Sequence, residues 1–329
     1  METMIEVQNL TKRFGLFTAV DNISFSVPRG QVLGFLGPNG AGKSTSMRMI
    51  VGFLSPTAGT VLVGGHDIRK QPIKTKAMMG YMPEGAPSYP DMMPRAFLNF
   101  AATIRGLRGL EKRKAIDSAI AKLGLEPVLN QPIETLSKGF RRRVGVAQAI
   151  LHDPPVLILD EPTDGLDPNQ KHQVRTLLRE MAPEKAIVVS THILEEVNAV
   201  CDRAIIIDHG KIVADGTPNV LESRSKFHNA VTISVTADAA SEVDNVLKAL
   251  PQVARVEIGQ KQGGLQDYML FPKEGAAIVT AVGDLARERG WRVEELYAER
   301  GRLDEVFRSL TIGDAVAMGR RDKGKRTRT

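Results

Sequence analysis

The segment Gly37-Pro-Asn-Gly-Ala-Gly-Lys43-Ser44 constrains this chain more than any other. Several backbone N–H groups can converge on a polyphosphate only where the chain turns tightly with no Cβ in the way, which Gly37, Gly40 and Gly42 permit. Lys43 adds a compact cation for the β- and γ-phosphates, and Ser44 adds a hydroxyl for a divalent cation. A helix opening here directs its positive N-terminus at the anion. The flanks agree, since Val32 to Leu36 is an apolar strand and Thr45 to Phe53 continues as a helix. Pro38, Asn39 and Ala41 complete the loop, so Gly37 to Thr45 is expected to cradle a phosphate chain.

A second signal is Val156-Leu-Ile-Leu-Asp160-Glu161-Pro162, an apolar strand that delivers two carboxylates at its C-terminal end, where parallel sheets place their chemistry. Asp160 is expected to hold Mg²⁺ through water. Glu161 is then placed to polarise a water attacking the γ-phosphate, because phosphoryl transfer is mostly positioning and charge stabilisation. Val61 to Val63, Ala186 to Ser190 and Ala204 to Asp208 also read as buried parallel strands. Between the strands lie helical patterns, among them Ala115, Ile116, Ala119, Ile120 and Leu123, and Asn169 to Glu180 behind an Asp-Pro pair suited to cap a helix. The fold class is therefore α/β.

Composition limits the alternatives. A chain of 329 residues, 42% hydrophobic and 25% charged, suffices for one large and one small domain. Of its net charge of +6, the tail around Arg320 to Arg328 carries four, with Asp314 and Asp322 already subtracted. The body is close to neutral, which argues against a broad nucleic-acid footprint, so no nucleic-acid partner is expected. A single cysteine, Cys201, makes no internal disulfide and fits a reducing compartment. The N-terminus lacks the pattern of a signal peptide, and no apolar run reaches the ~18 residues of a spanning helix, so any membrane role is expected to be peripheral.

Leu136-Ser137-Lys138-Gly139-Phe140-Arg141-Arg142-Arg143 lies just upstream of the carboxylate strand, Thr163-Asp164-Gly165-Leu166-Asp167 lies just after it, and His192 ends the apolar run Val188-Val-Ser-Thr. With the phosphate loop, these ordered segments resemble the ATP-binding subunits of ABC transporters, over roughly residues 5 to 221. The family's usual Leu-Ser-Gly-Gly-Gln is altered here: Lys138 and Phe140 replace Gly and Gln, while Ser137 and Gly139 are kept. The resemblance implies a P-loop NTPase of ABC type with ATP and Mg²⁺ as cofactors. It implies that Ser137 and Gly139 of one chain complete the site formed by Lys43, Ser44, Asp160, Glu161 and His192 of another, with Asp167 crossing the interface. His192 would orient the water of Glu161, unless it merely pairs with Glu195 or Glu196. The adenine-stacking aromatic falls at Phe14 or at Phe17.

Residues 1–223 are expected to form the ATPase domain, with a helical subdomain at about 85–153. Residues 224–312 read as a small α+β domain with the ferredoxin-like order βαββαβ, its last helix spanning Gly301 to Thr311, and 313–329 as a basic flexible tail. Gly80-Tyr-Met-Pro-Glu84, Arg95 to Leu107 and the ending Leu303 to Thr311 are most similar to ABC-2-type exporter ATPases. That placement implies a homodimer, or pairing with a related subunit, on an integral-membrane permease at the cytoplasmic face. The stretch Met82 to Ala102, with Met92, Met93, Ala96, Phe97 and Phe100, is its expected platform, unless these residues are core. The competing readings are a soluble ABC ATPase without a transport role, which usually carries two cassettes or a coiled-coil insertion, and a non-hydrolysing scaffold, against which Lys43, Glu161 and His192 argue together.

The family's Q-loop glutamine appears here as Glu84. A carboxylate still offers oxygen to Mg²⁺, but it adds negative charge near the γ-phosphate and cannot donate as an amide can. Tighter dependence on Mg²⁺ is expected. Titrating the metal against ATP hydrolysis should show Glu84→Gln reaching full rate with a shallower metal requirement than the native chain; identical curves would reduce Glu84 to a loop ion-pair partner.

Overall fold

The computed structural model describes residues 2–85, 89–236, 240–259 and 264–311. The chain divides into two compact units, Met1–Thr217 and a second beginning at Pro218. The expected boundary lay after Ser223. The short helix Pro218–Glu222 goes with the second unit, where Leu221 is fully buried and Gly301 approaches so closely that a Cβ there would lie 2.2 Å from the Glu222 carbonyl oxygen.

The first unit opens with β1 (Thr3–Phe14) and β2 (Phe17–Pro28), a long antiparallel hairpin. Then come β3 (Gln31–Leu36), α1 (Lys43–Ile50), β4 (Ala58–Val63), β5 (His66–Asp67), α2 (Pro72–Ala77) and β6 (Met79–Met82). A helical layer follows, with α3 (Pro94–Ile104), α4 (Gly109–Leu123) and α5 (Lys138–Ile150). The unit finishes with β7 (Val156–Asp160), α6 (Pro168–Met181), β8 (Ala186–Thr191), α7 (Leu194–Val200), β9 (Arg203–Asp208) and β10 (Lys211–Gly216). These strands form two sheets, one ordered β2-β1-β4-β5 and the other β10-β9-β3-β8-β7-β6. In the second sheet β9, β3, β8, β7 and β6 run parallel, and β10 adds an antiparallel edge.

The parallel strands are apolar on both faces because both are covered. Val156, Ile158 and Val188 pack toward α1 and the antiparallel sheet, with Phe35, Met47, Met49 and Ile50. Leu157, Leu159, Ile187 and Val189, alternating with them, pack toward the helical layer and α6 through Leu98, Ile120, Val144 and Leu177. Two sequence expectations need correction. Val61 to Val63 belongs to β4 of the antiparallel sheet, where it alternates buried and half-buried positions; a short apolar run does not distinguish the two settings. The helix expected to reach Phe53 stops at Ile50, since Gly52 follows at φ +67° and Phe53 is exposed.

The second unit contains β11 (Val231–Thr236), α9 (Ala240–Lys248), β12 (Val253–Ile258), β13 (Leu265–Pro272), α10 (Val279–Glu288) and β14 (Val293–Ala298), after α8 (Pro218–Glu222) and before a helix over 303–311. Its sheet, ordered β12-β13-β11-β14 and antiparallel throughout, has the ferredoxin-like order read from the sequence. Val231, Ile233, Val235, Val243, Leu247, Tyr268 and Val282 form its core. The basic segment 313–329 lies outside the described residues. Among the described residues, no helix is long and apolar enough to cross a membrane.

Candidate functional site

Four neighbouring strands of the parallel sheet, β3, β8, β7 and β6, each release one functional segment at the C-terminal end. The phosphate loop follows Leu36 of β3, His192 follows Thr191 of β8, Glu161 follows Asp160 of β7, and Glu84 lies just past Met82 of β6. The register puts Leu36 opposite Thr191 and Asp160 opposite Ser190, so these ends stand level. A crevice at such strand ends is where open α/β sheets bind ligands.

The glycines of the loop serve different needs. A Cβ on Gly37 would sit 2.5 Å from the Ile207 carbonyl oxygen of β9, whereas Gly42 combines φ +106° with a Cβ position 2.5 Å from the Ala19 carbonyl oxygen. Gly42 is also the residue that opens α1, so the left-handed turn aims the helix N-terminus back into the loop. Lys43 is buried, and its Nζ donates to the carbonyls of Gly37 at 2.7 Å and Pro38 at 3.2 Å. Burial holds its pKa below the ordinary lysine value, against the opposing pull of Glu161, Asp160 and Glu84.

Asp160 is fully buried at the end of β7. Its Oδ1 accepts a short hydrogen bond from Ser190 Oγ, and its Oδ2 is buried without a hydrogen-bond partner among the described residues. A buried carboxylate oxygen left open beside the Lys43–Ser44 step fits a divalent cation with its waters better than it fits an apolar packing role. Ser44 Oγ donates to Glu84 Oε2 at 3.5 Å, which brings two of the three expected metal-side groups, Ser44 and Glu84, together, with the open oxygen of Asp160 as the third candidate. Glu84 is exposed and makes no ion pair among the described residues.

Glu161 takes a positive φ of +53°, and its amide donates to Ser190 Oγ at 3.0 Å. That backbone turn lifts the side chain out of the strand, where Oε2 accepts from His192 Nδ1 at 2.7 Å. His192 therefore pairs with Glu161, and the alternatives pair elsewhere: Glu195 with Arg175 at 3.2 Å, and Glu196 with two threonines. Glu196, weighed in the sequence only as a partner for His192, has a different role. Buried below the site, it accepts from Thr163 Oγ1, just past Glu161, and from Thr191 Oγ1 at 2.8 Å, just before His192. Its carboxylate thus ties the segments that follow β7 and β8 together. Ser190 was missed; its polarity at the end of the run Ala186 to Val189 was the available signal.

Phe14 and Phe17 face each other at the end of the β1–β2 hairpin, and both line one cleft of about 340 Å³ with Asn39, Gly40, Gly42, Lys43, Ser44, Thr45, Glu84 and Glu161. Lys12 Nζ lies 5.1 Å from the Phe14 ring centre. Ser137 and Gly139 are not among the cleft's lining residues. They stand at the start of α5, where Ser137 Oγ accepts from the Phe140 amide at 3.3 Å. Asp167, expected at an interface, caps α6 within its own chain by accepting from the Gln170 amide at 2.9 Å.

Residues 20–164 match the family described as ABC transporter. The probable multidrug ABC transporter ATP-binding protein YbhF of Escherichia coli (strain K12) is 37% identical over 225 residues, 68% of this chain and 39% of its own length. The chain thus spans well under half of that relative. The Nod factor export ATP-binding protein I of Ralstonia nicotianae is 36% identical over 315 residues, 94% of each chain. Among solved structures, an ATP-binding subunit of an ABC transporter superposes with a TM-score of 0.63 at 30% identity, over 67% of this chain and 92% of that one.

Burial raises the Glu161 carboxyl above its ordinary pKa, and His192 and Lys43 offset this in part. A carboxyl whose pKa is higher in the folded than in the unfolded chain supports folding below the unfolded value, and that support is lost as pH rises through the folded value. Ionised Glu161 therefore costs stability at neutral pH. Glu161→Gln should melt at a higher temperature than the native chain at about pH 7.5, with the gap closing toward about pH 4, where both carry a neutral side chain. An equal or lower melting temperature at neutral pH would contradict this.

Proposed function

Because this chain belongs to the ABC transporter family of ATP-binding proteins, we propose that it binds ATP with Mg²⁺, hydrolyses it, and powers an ABC-2-type membrane exporter by closure and reopening of two chains. The observation that carries the hydrolytic reading is the Glu161–His192 hydrogen bond of 2.7 Å at the mouth of the phosphate loop. Lys43 and the loop backbone hold the β- and γ-phosphates, and one of the two Phe14/Phe17 rings stacks on the base. Bound Mg²⁺, held by Ser44, Glu84 and Asp160, would neutralise charge on the phosphate oxygens. His192 keeps Glu161 Oε2 occupied, which leaves Oε1 to take the proton of the attacking water. The raised carboxyl pKa suits a group that must accept a proton near neutral pH.

Two further features support the transporter reading. Ser137 and Gly139 lie apart from the cleft of their own chain, at the start of a helix, and suit a nucleotide held by a second chain; Asp167 would border the same interface. A homodimer, or a pair with a related subunit, satisfies that arrangement. An apolar groove also runs between α1 and the helical layer, lined by Val51, Phe53, Tyr89, Phe100 and Ile104, with Phe53 78% and Ile104 69% exposed. Of the expected platform, Phe97 and Phe100 both line the groove, Phe97 buried in its floor and Phe100 exposed. Such a groove suits a short helix of a membrane permease, and in this reading the chain works peripherally at the cytoplasmic face of the cell membrane. The relatives named for multidrug transport and Nod factor export favour outward transport.

The test is phosphate release by the purified chain. Glu161→Gln should lower the steady-state rate roughly 10³-fold while ATP still binds, the size expected for loss of a positioned general base. A rate insensitive to this substitution would contradict hydrolysis at this site.

A further inference from the structure

We propose that Lys138, the lysine standing where the family's signature carries a glycine, is a detachable cation that leaves Asp164 to bind the γ-phosphate of ATP held by a second copy of this chain. The proposal rests on the reading that Ser137 and Gly139 complete a second chain's site.

Four cations occupy the run Lys138 to Arg143, and three are fixed. Arg141 Nη1 donates to the Glu134 carbonyl at 3.1 Å, and Arg143 Nη1 donates to the Leu123 carbonyl at 2.9 Å while its guanidinium stacks 4.1 Å over the Phe140 ring. Arg142 is buried, and its Nη2 donates to Asp164 Oδ2 at 3.2 Å. Lys138 differs. Its side chain is 55% exposed, and its Nζ pairs with the same Asp164 oxygen, at 2.7 Å. An ion pair this exposed is screened by water and salt, so a multiply charged phosphate competes with it readily.

Release of Lys138 would not leave Asp164 or the protein interior with an unpaired charge. Arg142 Nη1 is buried and lacks an acceptor among the described residues, although Nη2 already touches Asp164. A carboxylate freed from Lys138 can turn to face both guanidinium nitrogens in the fork geometry that suits this pair. The Lys138 hydrogen bond is the main cause that holds the Asp164 pKa below its ordinary value, and Arg142, which stays in place, acts in the same direction. The loop is also shaped around the lysine stem: a Cβ on Gly165 would fall 2.5 Å from the Lys138 Cδ.

Position completes the case. Lys138 is the first residue of α5 and lies between Ser137 and Gly139, at a helix N-terminus where backbone N–H groups already favour an anion. An ammonium added there turns a dipolar contact into a charged one. Asp164 lies three residues past Glu161, so the exchange would also move the loop that follows the general base.

The test uses full-length Glu161→Gln chain, which should retain ATP, with dimerisation followed by sedimentation as ATP·Mg²⁺ is raised. Adding Lys138→Met should raise the ATP needed for half-dimerisation about tenfold, the worth of a hydrogen bond to a charged group, and should flatten its salt dependence. Lys138→Arg should restore most of the effect. Asp164→Asn, which frees Lys138 but keeps an acceptor for Arg142, should lower the ATP needed, and that gain should vanish when Lys138→Met is added. Fluorescent-nucleotide binding to the dilute, separated chain should be the same in all variants. If Lys138→Met leaves dimerisation unchanged, or if Asp164→Asn weakens it as much as Lys138→Met does, the pair is structural and the proposal fails. If the Glu161→Gln chain does not dimerise with ATP at all, the two-chain reading fails and takes this proposal with it.

Discussion

The Ser190 hydroxyl stands where the last residues of β7 and β8 meet, donating to Asp160 and accepting from the amide of Glu161. The site depends on that lock. Parallel pairing brings Asp160 level with Ser190, and the hydroxyl then fixes one carboxylate oxygen and turns the next residue into the left-handed conformation that lifts its side chain toward His192. A strand register, set by burial on both faces of the sheet, is in this way converted into the placement of Glu161, the proposed general base. Glu196 repeats the device one layer below, holding Thr163 and Thr191 with one buried carboxylate.

These polar links lie at the rim of a large apolar core, and that setting gives them their effect. The same low-polarity surroundings that raise the Glu161 pKa lower that of Lys43, so each is poised away from its solution behaviour. Asp160 has one oxygen satisfied by Ser190 and the other open, which is the arrangement a hydrated cation requires and a purely structural carboxylate does not.

Much of this was legible in the sequence for identifiable reasons. The phosphate loop, Asp160, Glu161 and His192 are readable because each follows an apolar strand whose type and length announce its end. The order of the second unit was readable because its strands alternate in hydrophobicity between helices of regular period. The β1–β2 hairpin was not read as strands, since its twelve-residue arms mix exposed polar positions with bulged register and carry no clean alternation. Val61 to Val63 was assigned to the wrong sheet because a short apolar run carries no information about its partner. The Ser190 link to Glu161, the Thr163–Glu196 bond and the shared hold of Lys138 and Arg142 on Asp164 escaped for another reason: each joins residues far apart in sequence, and only the fold brings them together.

In the proposed arrangement a site containing Glu161, His192 and Lys43 is completed by Ser137 and Gly139 of a second chain. The most direct measurement is the steady-state rate of ATP hydrolysis as a function of chain concentration at saturating ATP and Mg²⁺. The rate should rise with the square of the concentration while the chains are mostly separate and become proportional to concentration once they pair. A rate strictly proportional to concentration from the most dilute, demonstrably monomeric solution would contradict it.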